Sequence, residues 1–211
     1  MRLVVGISGA TGAVLSIRLL QALRELEVET HLVVSNWGRA MIEMETEHSI
    51  HYVRSLADFV YGPKDQTAPI ASGSYRTDGM IVAPCSMKTL AGIRTGYGDD
   101  LITRAADVTI KERKRLVLVP RETPLSEIHL DNMLALSRMG VVIAPPMPAF
   151  YLKPTSLDDI INHGVMRILD QFGLEVPGGQ RWEGGVPSLP VPSPQVSSLP
   201  SQPVDTSSEQ D

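Results

Sequence analysis

RLVVGISGATGAVLSIRLL, residues 2–20, decides how the rest of the chain is read. It opens on RLVVGI (2–7), a Val- and Ile-rich run of the length of a strand buried on both faces. Gly6, Gly9 and Gly12 follow at intervals of three, and then Val14, Ile17, Leu20, Leu23 and Leu26 recur at helical spacing as one apolar face. Strand, glycine loop and helix make the first half of a βαβ unit, whose helix N-terminus points amides and a positive dipole end outward. Glycine there allows backbone to approach either a ligand or a facing helix, and both readings stay open. Ser8 and Thr11 add hydroxyl donors. No Gly-Lys-Ser/Thr follows, so the loop is not a P-loop, and its spacing is not the G-x-G-x-x-G of dinucleotide sites. The second strand ends in Ser35 rather than in an acidic residue that would hold a ribose, which disfavours NAD. A flavin mononucleotide or a similar phosphate ligand fits better.

The same alternation continues. THLVVS (30–35), GMIVAP (79–84), RLVLVP (115–120) and GVVIAP (140–145) read as further buried strands. Helical patterns cover 12–26, 36–46, 86–95, 100–113, 125–138 and 155–173, and 50–75 holds a short helix and an extended piece. An α/β fold follows: a doubly wound, mostly parallel sheet with helices on both faces. Its strand order is not readable from the pattern. From about residue 176 the composition shifts, and 186–211, rich in Pro and Ser and ending acidic, reads as a disordered tail or partner-contacting arm appended to a domain over 1–185.

The totals narrow the classes. With 211 residues and 43% in the hydrophobic set, the chain suits one domain with a sizeable core. A net charge of −5 gives no general attraction to nucleic acid. The single cysteine cannot form an internal disulfide, which fits a reducing compartment. No apolar run approaches the roughly 18 residues of a membrane span, and the N-terminal run is too short and glycine-interrupted for a signal peptide. A cytoplasmic location is expected. The five histidines show no ligand spacing, so no metal is expected, and no nucleophile elbow occurs. Cys85, with no base in view, reads as a small buried thiol.

Other strand ends carry candidates. In APCSMKTLAG (83–92), Ser86 and Thr89 stand where hydroxyls cap a helix or share its amides with an anion. VPRETP (119–124) puts Arg121 beside Glu122, and Arg104 and Lys111 lie seven apart on one helical face, either solvated or holding a phosphate. Glu45 sits late in a helix among apolar neighbours, and Tyr151 follows PPMPAF.

GISGATG, METEH, APCSMKTLAGI, LITRAADVTIKER, LVPRETP, IHLDNM and PPMPAFY, in that order from residue 2 to Trp182, together resemble the UbiX-type flavin prenyltransferases. The resemblance implies a Rossmann-like subunit, assembled as a homododecamer, that transfers a dimethylallyl group from dimethylallyl monophosphate to N5 and then C6 of reduced FMN. It implies no metal, and a UbiD-type decarboxylase as recipient of the prenylated FMN. By position it makes Gly9, Ala10, Thr11, Ser35, Ser86, Met87, Lys88, Thr89 and Arg121 FMN contacts. Arg104, Lys111, Tyr151 and Arg167 become contacts to the prenyl phosphate, Glu45 and Glu122, with Thr11, the catalytic set, and Trp182 a cover over the site. The residue types suit the chemistry: cations stabilise a departing phosphate, an acid such as Glu122 protonates it if buried, and closure at C6 must lose a proton. Two departures stand out: Asn36-Trp37 follows Ser35 where many members have Ser-Lys, and Gln66-Thr67 replaces an aromatic that some members place at the prenyl site. Two other functions compete, an FMN-dependent cysteine decarboxylase and a non-catalytic FMN-binding accessory subunit. The first would need a histidine and an Asn-rich segment without counterpart here, and the second leaves Glu45, Glu122 and the basic residues without work.

Overall fold

Six parallel strands form one sheet in the order β3–β2–β1–β4–β5–β6. They are β1 (Arg2–Ile7), β2 (Glu29–Val34), β3 (Phe59–Tyr61), β4 (Gly79–Cys85), β5 (Arg115–Pro120) and β6 (Val142–Ile143). The computed structural model describes residues 1–182 and 184. Met1–Arg181 make one unit and Trp182 falls outside it, while the tail expected over 186–211 lies outside the described residues.

Among the described residues seven α-helices cover the sheet: α1 (Ala13–Glu25), α2 (Asn36–Glu45), α3 (Ile50–Ser55), α4 (Met87–Thr95), α5 (Leu101–Lys111), α6 (Glu127–Arg138) and α7 (Leu157–Leu169). Side chains alternate across a strand, so β1 feeds two cores. Leu3, Val5 and Ile7 pack with α1, α2, α3 and α7. Val4 packs on the other face with Leu90 and Ile93 of α4, with Ile102 and Ala106 of α5, and with Leu136 of α6. Both faces of β4 are covered, and all seven of its residues are buried.

Short polar residues start most of the helices. Ser35, Ser49, Ser86, Asp100, Ser126 and Ser156 each accept a hydrogen bond from a first-turn amide of α2 to α7. Helix α1 differs: Gly12 stands before it at φ 110°, with no capping side chain of its own.

Three expectations change. The extended piece within 50–75 is an edge strand of the same sheet, three residues long, with Phe59 and Val60 exposed. The last strand pairs only over Val142–Ile143, not 140–145. Val14 is exposed, because α1 turns Leu15, Ser16 and Leu19 into the core along with Ile17, Leu20 and Leu23. Neighbours on several sides, α7, α2 and the sheet, widen its buried stripe.

Candidate active site

The strand order reverses between β1 and β4, and ligands of such sheets enter at the carboxyl ends of the strands at that reversal. Ser8 locks the two loops together there. Its hydroxyl donates to the Pro84 carbonyl at 2.9 Å and accepts from the Ser86 amide at 2.7 Å. Ser8 is buried, so the hydroxyl that sequence offered to a ligand is used inside the scaffold.

The three glycines also have reasons within the chain. A Cβ on Gly6 would press on Ile102, one on Gly9 would stand 2.3 Å from Cβ of Trp37, and Gly12 holds a left-handed φ. Only Gly9 of the three lines the nearby cavity.

That cavity, of about 460 Å³, lies between the N-termini of α2 and α4 and is lined by Gly9, Ser35, Trp37, Ser86, Lys88 and Thr89; Asp99 and Asp100 also line it, the first paired with Lys64 at 3.0 Å and the second capping α5. The Ser35 hydroxyl accepts from the Gly38 amide at 2.9 Å. The Ser86 hydroxyl accepts from the Thr89 amide at 3.3 Å and donates to the Thr89 hydroxyl at 3.1 Å. Two helix N-termini, three hydroxyls and the Lys88 ammonium form a donor set suited to a phosphate monoester. FMN carries such a group, and the cradle fits it. Met87 opens α4, Ala10 is buried in the Gly9 loop, and Trp37 stands 71% exposed at the cavity.

The N-terminus of α1, where sequence placed an anion, already holds one. Oε2 of Glu45, the last residue of α2, accepts from the amides of Gly12 and Ala13 at 2.9 Å each. Burial would raise the Glu45 pKa. The Thr11 hydroxyl, the Ala13 and Gly12 amides and the Arg121 charge outweigh it and hold the carboxyl below its ordinary range. The structure therefore brings Glu45, from the end of α2, and Arg121, from just after β5, to Thr11 on the loop that also supplies Gly9. Glu122, next to Arg121, is exposed, and its Oε1 accepts from the Thr123 amide at 3.2 Å. One chain does not supply the burial expected of it.

The four residues expected around the prenyl phosphate are not brought together within one chain. Arg104 donates to the Ala71 carbonyl at 3.1 Å and to Asp107 at 2.8 Å, and Lys111 pairs with Glu112. Both belong to α5, in the core layer opposite α7, which carries Arg167. Tyr151 meets His163 of α7 edge-on, ring centroids 6.3 Å apart. Trp182, outside the Met1–Arg181 unit, is exposed. A second cavity, of about 370 Å³, opens between α1 and α7 beside His163, away from the cradle.

Cys85 is fully buried, and burial alone pushes its thiol pKa far up, as suits an inert core residue. Among the described residues no group of three or more His, Cys, Asp or Glu is placed to hold a metal ion.

Fold and site together define a phosphate-binding α/β protein with a carboxylate buttressed beside its cradle. The Flavoprotein family model matches residues 1–168. A probable UbiX-like flavin prenyltransferase of Escherichia coli O157:H7 is 65% identical over 185 residues, covering 87% of this chain and 94% of that protein. Among solved structures, the dodecameric FMN-dependent UbiX-like decarboxylase from Escherichia coli O157:H7 superposes with a TM-score of 0.86 at 65% identity, over 87% of this chain and all of the other. AnUbiX (PadA1), solved in complex with FMN and dimethylallyl pyrophosphate, gives 0.86 at 58% identity, over 88% of this chain and 98% of that one. The chain belongs to the Flavoprotein family, among its UbiX-like flavin prenyltransferases.

Proposed function

We propose that this protein transfers a dimethylallyl group from a dimethylallyl phosphate to N5 and C6 of reduced FMN, and that the prenylated FMN serves a UbiD-type decarboxylase. The observation that carries the reading is Glu45, held ionised by Thr11, two amides and Arg121 beside a two-helix phosphate cradle. A cofactor-delivery subunit needs the cradle and, of Glu45, only its cap on α1; it has no use for a base there.

The roles follow from the geometry. Ser35, Ser86, Lys88 and Thr89, with the amides of α2 and α4, hold the FMN phosphate. Glu45 accepts the proton lost on ring closure, and the Thr11 hydroxyl, the Ala13 and Gly12 amides and the Arg121 charge keep it ionised until then. Arg104, Lys111, Tyr151 and Arg167 hold the donor phosphate, with Glu122 as its acid and Trp182 as cover. Since α5 and α7 lie on opposite faces of the sheet, these groups meet only when neighbouring copies face one site. The dodecameric relative supports such an assembly. Reduced flavin and a lone buried thiol both suit the cytoplasm. Among the described residues no helix is long and apolar enough to cross a membrane.

The test is reconstitution of a UbiD-type apodecarboxylase. Activity should appear only with this protein, reduced FMN and the dimethylallyl donor all present. Activation by this protein and FMN without donor would instead establish an accessory subunit.

A further inference from the structure

Asp170 stands just beyond α7 and joins two arginines. Its Oδ2 accepts from Nη1 of Arg167 at 2.7 Å and from Nη1 of Arg181 at 3.0 Å, and its Oδ1 accepts from Nη2 of Arg181 at 2.6 Å. The Asp170 side chain is only 14% exposed, whereas Arg167 and Arg181 are 57% and 45% exposed.

An exposed pair three residues apart on a helix contributes little and leaves both side chains mobile. Here the carboxylate is pinned by a bidentate fork from Arg181, eleven residues on, at the end of the Met1–Arg181 unit. That fork fixes both oxygens before Arg167 is counted. Arg167 then gives one N–H to a carboxylate that cannot swing away. A guanidinium has five donors, so four stay open to solvent or ligand. Glu175 also acts on Arg181, so the outer arginine is balanced on both sides and Arg167 is the cation of the cluster turned to solvent. The Arg181 guanidinium first, and Arg167 with it, holds the Asp170 carboxyl below its usual range, so the cluster stays charged at neutral pH. Tyr151 is set from the same helix, its ring meeting the edge of His163 one turn before Arg167.

We infer that Asp170, clasped by Arg181, is a positioning residue that aims Arg167 at the phosphate of the prenyl donor. The inference rests on the proposed transferase reading, in which Arg167 contacts that phosphate. Asp170 itself touches no reacting atom.

The test uses the full-length protein, saturating reduced FMN and varied dimethylallyl monophosphate. Asp170→Asn should raise KM for the donor roughly tenfold, about one lost charge-assisted contact, with kcat and the Kd for FMN unchanged. Arg181→Gln, at a more exposed position, should raise KM in the same direction while the fold is kept. The deciding comparison is the double variant. If Asp170 acts through Arg167, Arg167→Ala and Arg167→Ala with Asp170→Asn have the same KM. A further rise in the double variant, or no change in KM in Asp170→Asn, overturns the inference. Arg167→Ala with an unaltered KM in an otherwise active enzyme also overturns it, while leaving the transferase activity standing. Absence of any transfer by the unmodified protein would overturn the activity first and this inference with it.

Discussion

Glu45 has one job that the structure shows, capping α1, and one that is proposed for it, taking the proton lost on ring closure. The two jobs separate by substitution. Glu45→Gln keeps an acceptor for the Gly12 and Ala13 amides, so thermal unfolding should shift little, but the product should stop after the first of the two carbon–flavin bonds. Because both products have the same mass, the absorption spectrum of the extracted flavin is the readout. Full-rate ring closure by this variant would contradict the role. Glu45→Ala loses the cap as well and should cost about 1 kcal/mol in urea unfolding, as caps generally do. The folded pKa is depressed, so the charged cap is present above the ordinary value of 4.5 and is lost only as pH falls through the lower folded value. In the sequence Glu45 was conspicuous as a carboxylate among apolar neighbours. That it fills the α1 N-terminus was not legible, since the contact joins residues 33 apart through the fold.

At the scale of elements, capping serins sort into those that also face the cradle and those that do not. Ser86 caps α4 inside the cavity, whereas Ser126 caps α6 away from it. Ser86→Ala and Ser126→Ala should each cost about 1 kcal/mol of stability. Only Ser86→Ala should also weaken FMN binding, as read by fluorescence titration, and equal losses of affinity would contradict the cradle. The long strands were legible as continuous apolar runs buried on both faces, and the helices by their period of 3.6. β3 was legible only as an extended piece, since three residues at an exposed edge carry no alternation, and its pairing with β2 is non-local. The roles of Ser8 and Asp170 were not legible either, since each depends on partners that only the fold supplies.

The whole molecule divides its labour between the two ends of the sheet. The phosphate cradle lies at the carboxyl ends, while Arg2, Glu29 and buried His31 form a linked cluster toward the amino ends of β1 and β2. Arg2 first, then His31, holds the Glu29 carboxyl down at about 2 against an ordinary 4.5. A depressed carboxyl stabilises above its unfolded value and loses that contribution as pH falls through the folded one. Glu29→Gln should therefore lower stability at neutral pH and flatten the acid limb between about 4.5 and 2, as measured by urea unfolding across pH. Assembly makes a separate prediction. If Arg104 and Arg167 reach one site from different copies, Arg104→Ala and Arg167→Ala chains, each impaired at low donor concentration, should recover part of the activity there when dissociated and reassembled together. No recovery from verified mixed oligomers would contradict sharing.

Whether the flavin is altered or merely held is read directly by its mass. The purified protein is incubated anaerobically with reduced FMN and dimethylallyl monophosphate, and the extracted flavin is weighed by mass spectrometry. A transferase returns a flavin heavier by one five-carbon unit. Flavin of unchanged mass, recovered from protein shown to bind both compounds, would contradict that activity.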